Sequence, residues 1–223
     1  MTGLAYSFAM GRILVILALA GLSGLQAAEG WRELFNGKDL QGWKANLYPD
    51  SWSVVDGAIR AHATKESSHL FVMTAQGEPA RFKNFELEAV VRGEPNANSG
   101  IFVHTDLTTH SEAMRLSKGY EIQLNSTAKE KRKTGSLYGV VDLPTSPVDE
   151  TKWFRVGIAV RGKRLTIQLE GKTVVDFTEA EPAAPVAGRP GRKLDPEGGA
   201  IALQAHDPTS VFYFKSVRVR ELP

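Results

Sequence analysis

Apolar and polar residues alternate along most of this chain with a period of two, the spacing of half-buried β-strands, rather than the 3.6 of helices. Residues 119–125 alternate without a break: Tyr120, Ile122 and Leu124 fall on one face, and Glu121, Gln123 and Asn125 on the other. Residues 85–92 place Phe85, Leu87, Ala89 and Val91 on a common core face. Strands are predicted over 52–55 and 58–61, joined across Asp56-Gly57, a two-residue hairpin signal. Others are predicted over 100–104, 153–160, 200–205 and 211–219, and a second hairpin joins 163–169 to 173–177 across Glu170-Gly171-Lys172. Short strands with turns and no helical spacers predict an antiparallel all-β sandwich.

Three segments interrupt the pattern. Residues 105–118 form a long polar loop, 128–134 carry the run Lys129-Glu130-Lys131-Arg132-Lys133, and 179–198 are rich in Pro, Gly and Ala. Long loops on a rigid sandwich often carry binding groups. The charge run is expected to be a solvated loop tip.

Near the N-terminus, residues 13–22 form an apolar run too short to span a bilayer, with Arg12 before it and Gln26-Ala27-Ala28 after it. Residues 1–28 are therefore expected to be a signal peptide, with translation starting at Met10, and 29–223 a single domain. No integral membrane span is expected once the signal is removed, and the location is periplasmic or secreted. The chain has no Cys, which excludes disulfides, zinc–thiolate sites, a thiol nucleophile and a lipoprotein anchor cysteine. The formal charge is +2, and removing the signal takes away a single charged residue, Arg12. Such balance gives no support to nucleic-acid binding.

The outer strand faces carry the candidate chemistry. Gln204 and His206 share a face backed by small Ala200 and Ala202, and His104 shares its face with Phe102. If these strands join the Glu121 strand in one sheet, a groove gathers Glu121, Gln123, His104, Gln204 and His206. Phe102, Tyr120 or Tyr138 would offer stacking surfaces, and the alanines would leave room for a ligand. The segment Thr134-Gly135-Ser136-Leu137-Tyr138-Gly139 can return beside the Glu121 strand. A carboxylate and two amides suit sugar hydroxyls. His62, His69 and His110 lack metal-ligand spacing and are not expected to be catalytic. No nucleophile elbow, phosphate loop or dinucleotide fingerprint occurs. Sandwich-fold retaining glucanases place two carboxylates on one strand, whereas here Gln123 stands where the second would lie. Double-displacement glycoside hydrolysis is therefore disfavoured.

Several segments carry a resemblance, in order: residues 34–43 (Leu-Phe-Asn-Gly-Lys-Asp-Leu-Gln-Gly-Trp), Trp52-x-Val54-x-Asp56-Gly57, residues 98–102, residues 120–123, residues 134–139, and Leu203-Gln204-x-His206 followed by Val211-x-Tyr213-x-x-Ser216-Val217. Over 31–222 the chain resembles the 3-keto-disaccharide hydrolase family, also described as 3-keto-glucoside 1,2-lyase and 3-keto-2-hydroxyglucal hydratase. The resemblance implies a concanavalin-like jelly-roll sandwich of two antiparallel sheets, with a sugar site on its concave face and a small-molecule sugar as substrate. It implies C2 proton abstraction from a ketosugar, elimination at C1, and rehydration, for net hydrolysis of 3-keto-disaccharides. His104 or Glu121 would be the base, His206 the acid or oxyanion donor, and Gln123 and Gln204 hydroxyl binders. A divalent metal held by Glu121, His104 or His206 would be one way to stabilise the enediolate. The rivals are a non-catalytic carbohydrate-binding module of the same sandwich class and an interaction domain of an envelope assembly. Two departures stand out: His104 replaces part of a segment where such proteins often carry Arg, and Asp207 follows His206 where they often carry Gly.

Overall fold

A computed structural model describes residues 1–3, 30–107, 109–110, 115–186, 189 and 191–223. Residues 4–28 of the expected signal peptide, with its cleavage site, lie outside the described residues. The strands in chain order are β1 (Arg32–Glu33), β2 (Trp43–Ala45), β3 (Trp52–Val55), β4 (Ala58–Ala61), β5 (Ser68–Val72), β6 (Phe85–Gly93), β7 (Asn98–Thr105) and β8 (Thr109–His110). They continue with β9 (Arg115–Leu116), β10 (Tyr120–Asn125), β11 (Phe154–Arg161), β12 (Arg164–Leu169), β13 (Lys172–Thr178), β14 (Ala200–Ala205) and β15 (Phe212–Glu221). Among the described residues the one helical element is a 3-10 turn, Pro49–Ser51.

The strands form two antiparallel sheets and a small ribbon. The larger sheet runs β13-β12-β11-β6-β15-β4-β3, with β1 also paired to β15; the smaller runs β10-β7-β14-β5-β2, and β8 pairs β9. One core fills the space between the two sheets. Leu87, Ala89, Val91, Phe214 and Val217 come from the larger sheet and Ile101, Val103, Ile122, Leu124, Ile201, Leu203 and Leu70 from the smaller. All face inward by period-two alternation, except that Phe214 and Val217, three residues apart on β15, share the core face because a bulge falls between them.

Both expected hairpins form. Asp56 and Gly57 have φ of 49° and 72°, and Glu170 and Gly171 have 49° and 76°. Two successive left-handed residues match the twist of the flanking strands, and the glycine takes the second position without a Cβ clash. Lys172 already belongs to β13, so the second turn is two residues long. The segment 34–43 is structural. Asn36 Oδ1 accepts from the Lys38 and Asp39 amides, Asp39 Oδ1 accepts from the Asn36 side chain, and Trp43 Nε1 donates to the Leu34 carbonyl at 2.8 Å. This turn pins the chain start to the sandwich.

Apart from its edge strand β2, the smaller sheet is buried on both faces: every residue of β5, β7, β10 and β14 is sequestered. Its inner face meets the core, and loops close over its outer face. The 134–139 segment returns beside β10: the Gln123 amide donates to the Ser136 carbonyl at 2.9 Å and the Tyr138 amide to the Glu121 carbonyl at 3.0 Å.

Candidate functional site

The outer face of the smaller sheet forms the floor of a groove of about 600 Å³, within the range of small-molecule sites. Its lining includes Glu121 and Gln123 from β10, Phe102 from β7, Gln204 from β14 and His69 from β5, with His206 just beyond β14. Register explains the gathering. Glu121 stands opposite Phe102, Gln123 opposite Gly100, and Gln204 opposite His69. β7 separates β10 from β14, and Gly100, opposite Gln123, lacks the side chain that would press on Glu121. A Cβ at Gly100 would lie 3.2 Å from Glu121 Oε1.

Glu121 is paired with a residue 71 positions away. Arg192 Nη2 donates to Glu121 Oε2 at 3.2 Å, and Nη1 to the Gly119 carbonyl at 3.2 Å. Their side chains are 1% and 5% exposed. Burial pushes the Glu121 carboxyl above the usual carboxylate range, against the opposing charges of Arg192, Arg189 and His206. Burial likewise lowers Arg192, to about 10, so it remains cationic at neutral pH. The guanidinium lies 5.2 Å from the Phe102 ring centroid.

His206 Nδ1 donates to Asp207 Oδ2 at 2.7 Å, which leaves Nε2 as the ring nitrogen free for the groove. Partial burial opposes ionisation of Asp207. Hydrogen bonds from Thr209, His206 and Ser210 outweigh it and hold the carboxyl at about 2. Asp207, one of the two departures noted in the sequence, thus orients the imidazole beside it.

Among the described residues lining the groove, three buried polar atoms on the floor strands have no hydrogen-bond partner, Gln123 Oε1, Gln204 Oε1 and His69 Nδ1, and Ser67 Oγ is a fourth. Buried groups left unpaired are costly unless something else satisfies them. The glutamines are otherwise anchored, Gln123 Nε2 donating to Asn98 Oδ1 at 3.1 Å and Gln204 Nε2 lying 3.5 Å from His69 Nε2.

His104 does not join this group. Ala200 pairs with Thr105 but Ala202 with Phe102, so β7 carries one extra residue against β14. This bulge places His104 at φ 53° and turns its ring off the Phe102 side. Its Nε2 donates to the Lys83 carbonyl at 2.9 Å, its ring lies 6.1 Å from Phe85, and it lines a separate cavity with Glu179 and Asp195. Strict alternation, the basis for placing it in the groove, fails at a bulge.

Other expectations need similar correction. Ala200 and Ala202 leave no ligand space, because Phe71, Phe102 and Leu116 pack over them. The Phe102 ring is packed against protein, with the Arg192 guanidinium 5.2 Å and the His69 ring 5.0 Å from its centroid, which removes it as a stacking platform. Tyr120 faces the core, its hydroxyl donating to Glu179 Oε2 at 2.7 Å. Tyr138 does line the groove, but the guanidinium carbons of Arg132 and Arg189 lie 4.5 and 5.4 Å from its ring centroid and its hydroxyl donates to Glu130 Oε2 at 3.2 Å. Asn125 does not contact the groove. Its Nδ2 donates to the Glu130 and Arg132 carbonyls at 3.1 and 2.9 Å, folding the charge run so that Glu130 and Arg132 form a wall. The run is therefore more than a solvated tip.

Among the described residues no three His, Asp or Glu side chains are placed to hold a metal ion. Of the expected donors, His104 lies in another cavity, Glu121 is engaged by a guanidinium, and His206 is engaged by Asp207. The residues present do not fit a three-donor site. His62 is committed to Arg60 and the Pro208 carbonyl, and the side chain of His110 lies outside the described residues.

Two facing antiparallel sheets, with loops folded over a polar groove on the smaller one, define a concanavalin-like jelly-roll β-sandwich. The chain belongs to the family of 3-keto-alpha-glucoside-1,2-lyase-like domains, whose model matches residues 30–220. A "putative glycosyl hydrolase" from Parabacteroides distasonis superposes with a TM-score of 0.71 at 23% identity, covering 87% of this chain and 95% of that one. Carbohydrate binding module CBM66 from Bacillus subtilis gives 0.54 at 14% identity, over 81% and 96% of the two chains. The exoplasmic/lumenal domain of VIP36, in a form bound to calcium and Man3GlcNAc, gives 0.55 at 12% identity, over 82% and 84%. Likenesses at this identity concern the fold alone. A comparison with curated proteins gives no match.

Proposed function

We propose that the groove cleaves 3-keto-glycosides, 3-keto-disaccharides among them, by elimination and rehydration. The observation that carries this reading is the buried carboxylate Glu121, held by Arg192 with its pKa raised by burial, on a floor shared with His206 and two unsatisfied amide oxygens. A carbonyl at C3 acidifies the C2 hydrogen, so one well-placed base suffices and no second carboxylate is needed. Glu121 takes the C2 proton through Oε1, the oxygen beside Gly100, while Arg192 fixes Oε2. The C1–C2 double bond forms as the C1–O bond breaks, and His206 Nε2 gives a proton to the departing oxygen. The proton on Glu121 exchanges with solvent, water adds its hydroxyl to C1, and a solvent-derived proton is delivered to C2, so atoms balance as net hydrolysis. A base with an elevated pKa is the stronger base for such a step.

The binding-module reading rests on the sandwich architecture that CBM66 and VIP36 also show. It predicts saturable binding of unoxidised saccharides without product. The enzyme reading predicts product from 3-keto-disaccharides and none from the parent sugars, so a paired assay of both, with and without chelator, separates the two. Export to the periplasm or beyond belongs to the same proposal, supported by the apolar run at 13–22. Cell fractionation and N-terminal sequencing of the mature chain test it.

A further inference from the structure

His69 is the groove residue for which the reaction above has no use, and no pattern in the sequence singles it out. It sits on β5 opposite Gln204, 1% exposed, with its ring edge-on to Phe102 at 5.0 Å. Gln204 Nε2 lies 3.5 Å from His69 Nε2. With the Gln204 amide nitrogen as donor in this contact, the ring Nε2 accepts and the ring proton resides on Nδ1. That Nδ1 is buried without a protein partner in a residue lining the groove.

The three unpaired atoms of the floor are then one donor, His69 Nδ1–H, and two acceptors, Gln123 Oε1 and Gln204 Oε1. A 3-keto-pyranoside presents the complement: a carbonyl at C3, which only accepts, flanked by hydroxyls at C2 and C4, which donate. We propose that His69 donates its Nδ1–H to the C3 oxygen of the sugar, stabilising the negative charge that develops there when the C2 proton leaves. This rests on the functional reading above and adds the group that reading lacks, a donor for the enediolate oxygen. Burial, with the nearby charges of Arg192, His206 and Arg189, lowers the His69 pKa to about 3, so the ring is neutral across the working range. A neutral imidazole suits this role, because it polarises a carbonyl without surrendering a proton before the transition state.

The test combines kinetics with imidazole 15N NMR. His69→Phe and His69→Gln lower kcat on a 3-keto-disaccharide by about 100- to 1,000-fold, the usual loss for one oxyanion donor. His69→Asn places an amide N–H near the Nδ1 position and recovers about tenfold or more over His69→Phe. Equal rates in all three variants and the wild type overturn the proposal. NMR of Glu121→Gln protein, which keeps substrate intact, shows His69 neutral and protonated on Nδ1 between about pH 5 and 8. That resonance shifts when methyl 3-keto-glucoside is added. An Nε2–H tautomer overturns the proposal, as does an unmoved His69 signal when other groove resonances show the sugar bound. These spectra do not depend on the His69 variants folding. Binding by the wild type without turnover overturns the enzymatic reading and with it the charge-stabilising role, leaving only the hydrogen bond to the C3 oxygen for the NMR shift to test; neither binding nor turnover overturns all of it.

Discussion

Arg192 reaches out of a Pro- and Gly-rich loop to donate to Glu121 on β10, and the pair is all but sealed from water. A buried pair of this kind is weak as a source of net stability, but removing one partner strands the other. Arg192→Met is expected to lower stability by about 3–5 kcal/mol, whereas the double change Glu121→Leu with Arg192→Met restores most of the loss. Chemical denaturation of the two variants checks this, and turnover stays abolished in both.

Glu121→Gln keeps the shape and still accepts from Arg192. It is expected to cut turnover by about 10²–10⁴-fold, the range for one general base, while sugar binding persists. Titration calorimetry alongside the rate assay distinguishes lost chemistry from lost binding. Because burial raises the Glu121 pKa, the acid limb of the wild-type rate profile lies above the usual carboxylate range.

Asp207 links the site to stability at low pH. Its folded pKa of about 2 lies below the unfolded value near 4, so the folded state gains stability from its ionised form above about pH 4 and loses it as pH falls through about 2. Asp207→Asn is expected to flatten that part of the acid-unfolding curve and to slow turnover through the loss of His206 orientation. Circular dichroism across the acid range gives the first, and the rate assay the second.

Two glycines differ in what a methyl group would disturb. A Cβ at Gly119, where φ is +68°, would lie 2.0 Å from the Val103 carbonyl oxygen, so Gly119→Ala is expected to destabilise the fold by about 2 kcal/mol or more. At Gly100 the nearest obstacle is the Glu121 carboxyl itself, at 3.2 Å. Gly100→Ala is expected to lower turnover with little change in melting temperature. Thermal unfolding and the rate assay, run on both variants, check the contrast.

Alternation makes β6, β10 and both tight hairpins legible in the sequence, because one face of each element is fixed by burial. It also puts Glu121 and Gln123 on a common face. Three kinds of feature escape it. His69 lies on β5, a strand buried on both faces, where Leu70-Phe71-Val72 reads as a short apolar run with no period. Arg192 arrives from a loop far along the chain, and no local pattern encodes that reach. His104 falls on the wrong face because one extra residue in β7 shifts every side chain after it, and the left-handed backbone that marks the bulge leaves no glycine at His104 itself.

Proton abstraction from C2 is the step on which the proposed reaction turns, and a 3-keto-disaccharide carrying deuterium at C2 reports on it. Incubated with wild-type protein in ordinary water beside an enzyme-free control, it is expected to give a product with solvent hydrogen at C2, and more slowly than the unlabelled sugar. Glu121→Gln should suppress both product and exchange. Product that retains its deuterium at C2, or equal release from the unoxidised disaccharide, is incompatible with elimination through C2.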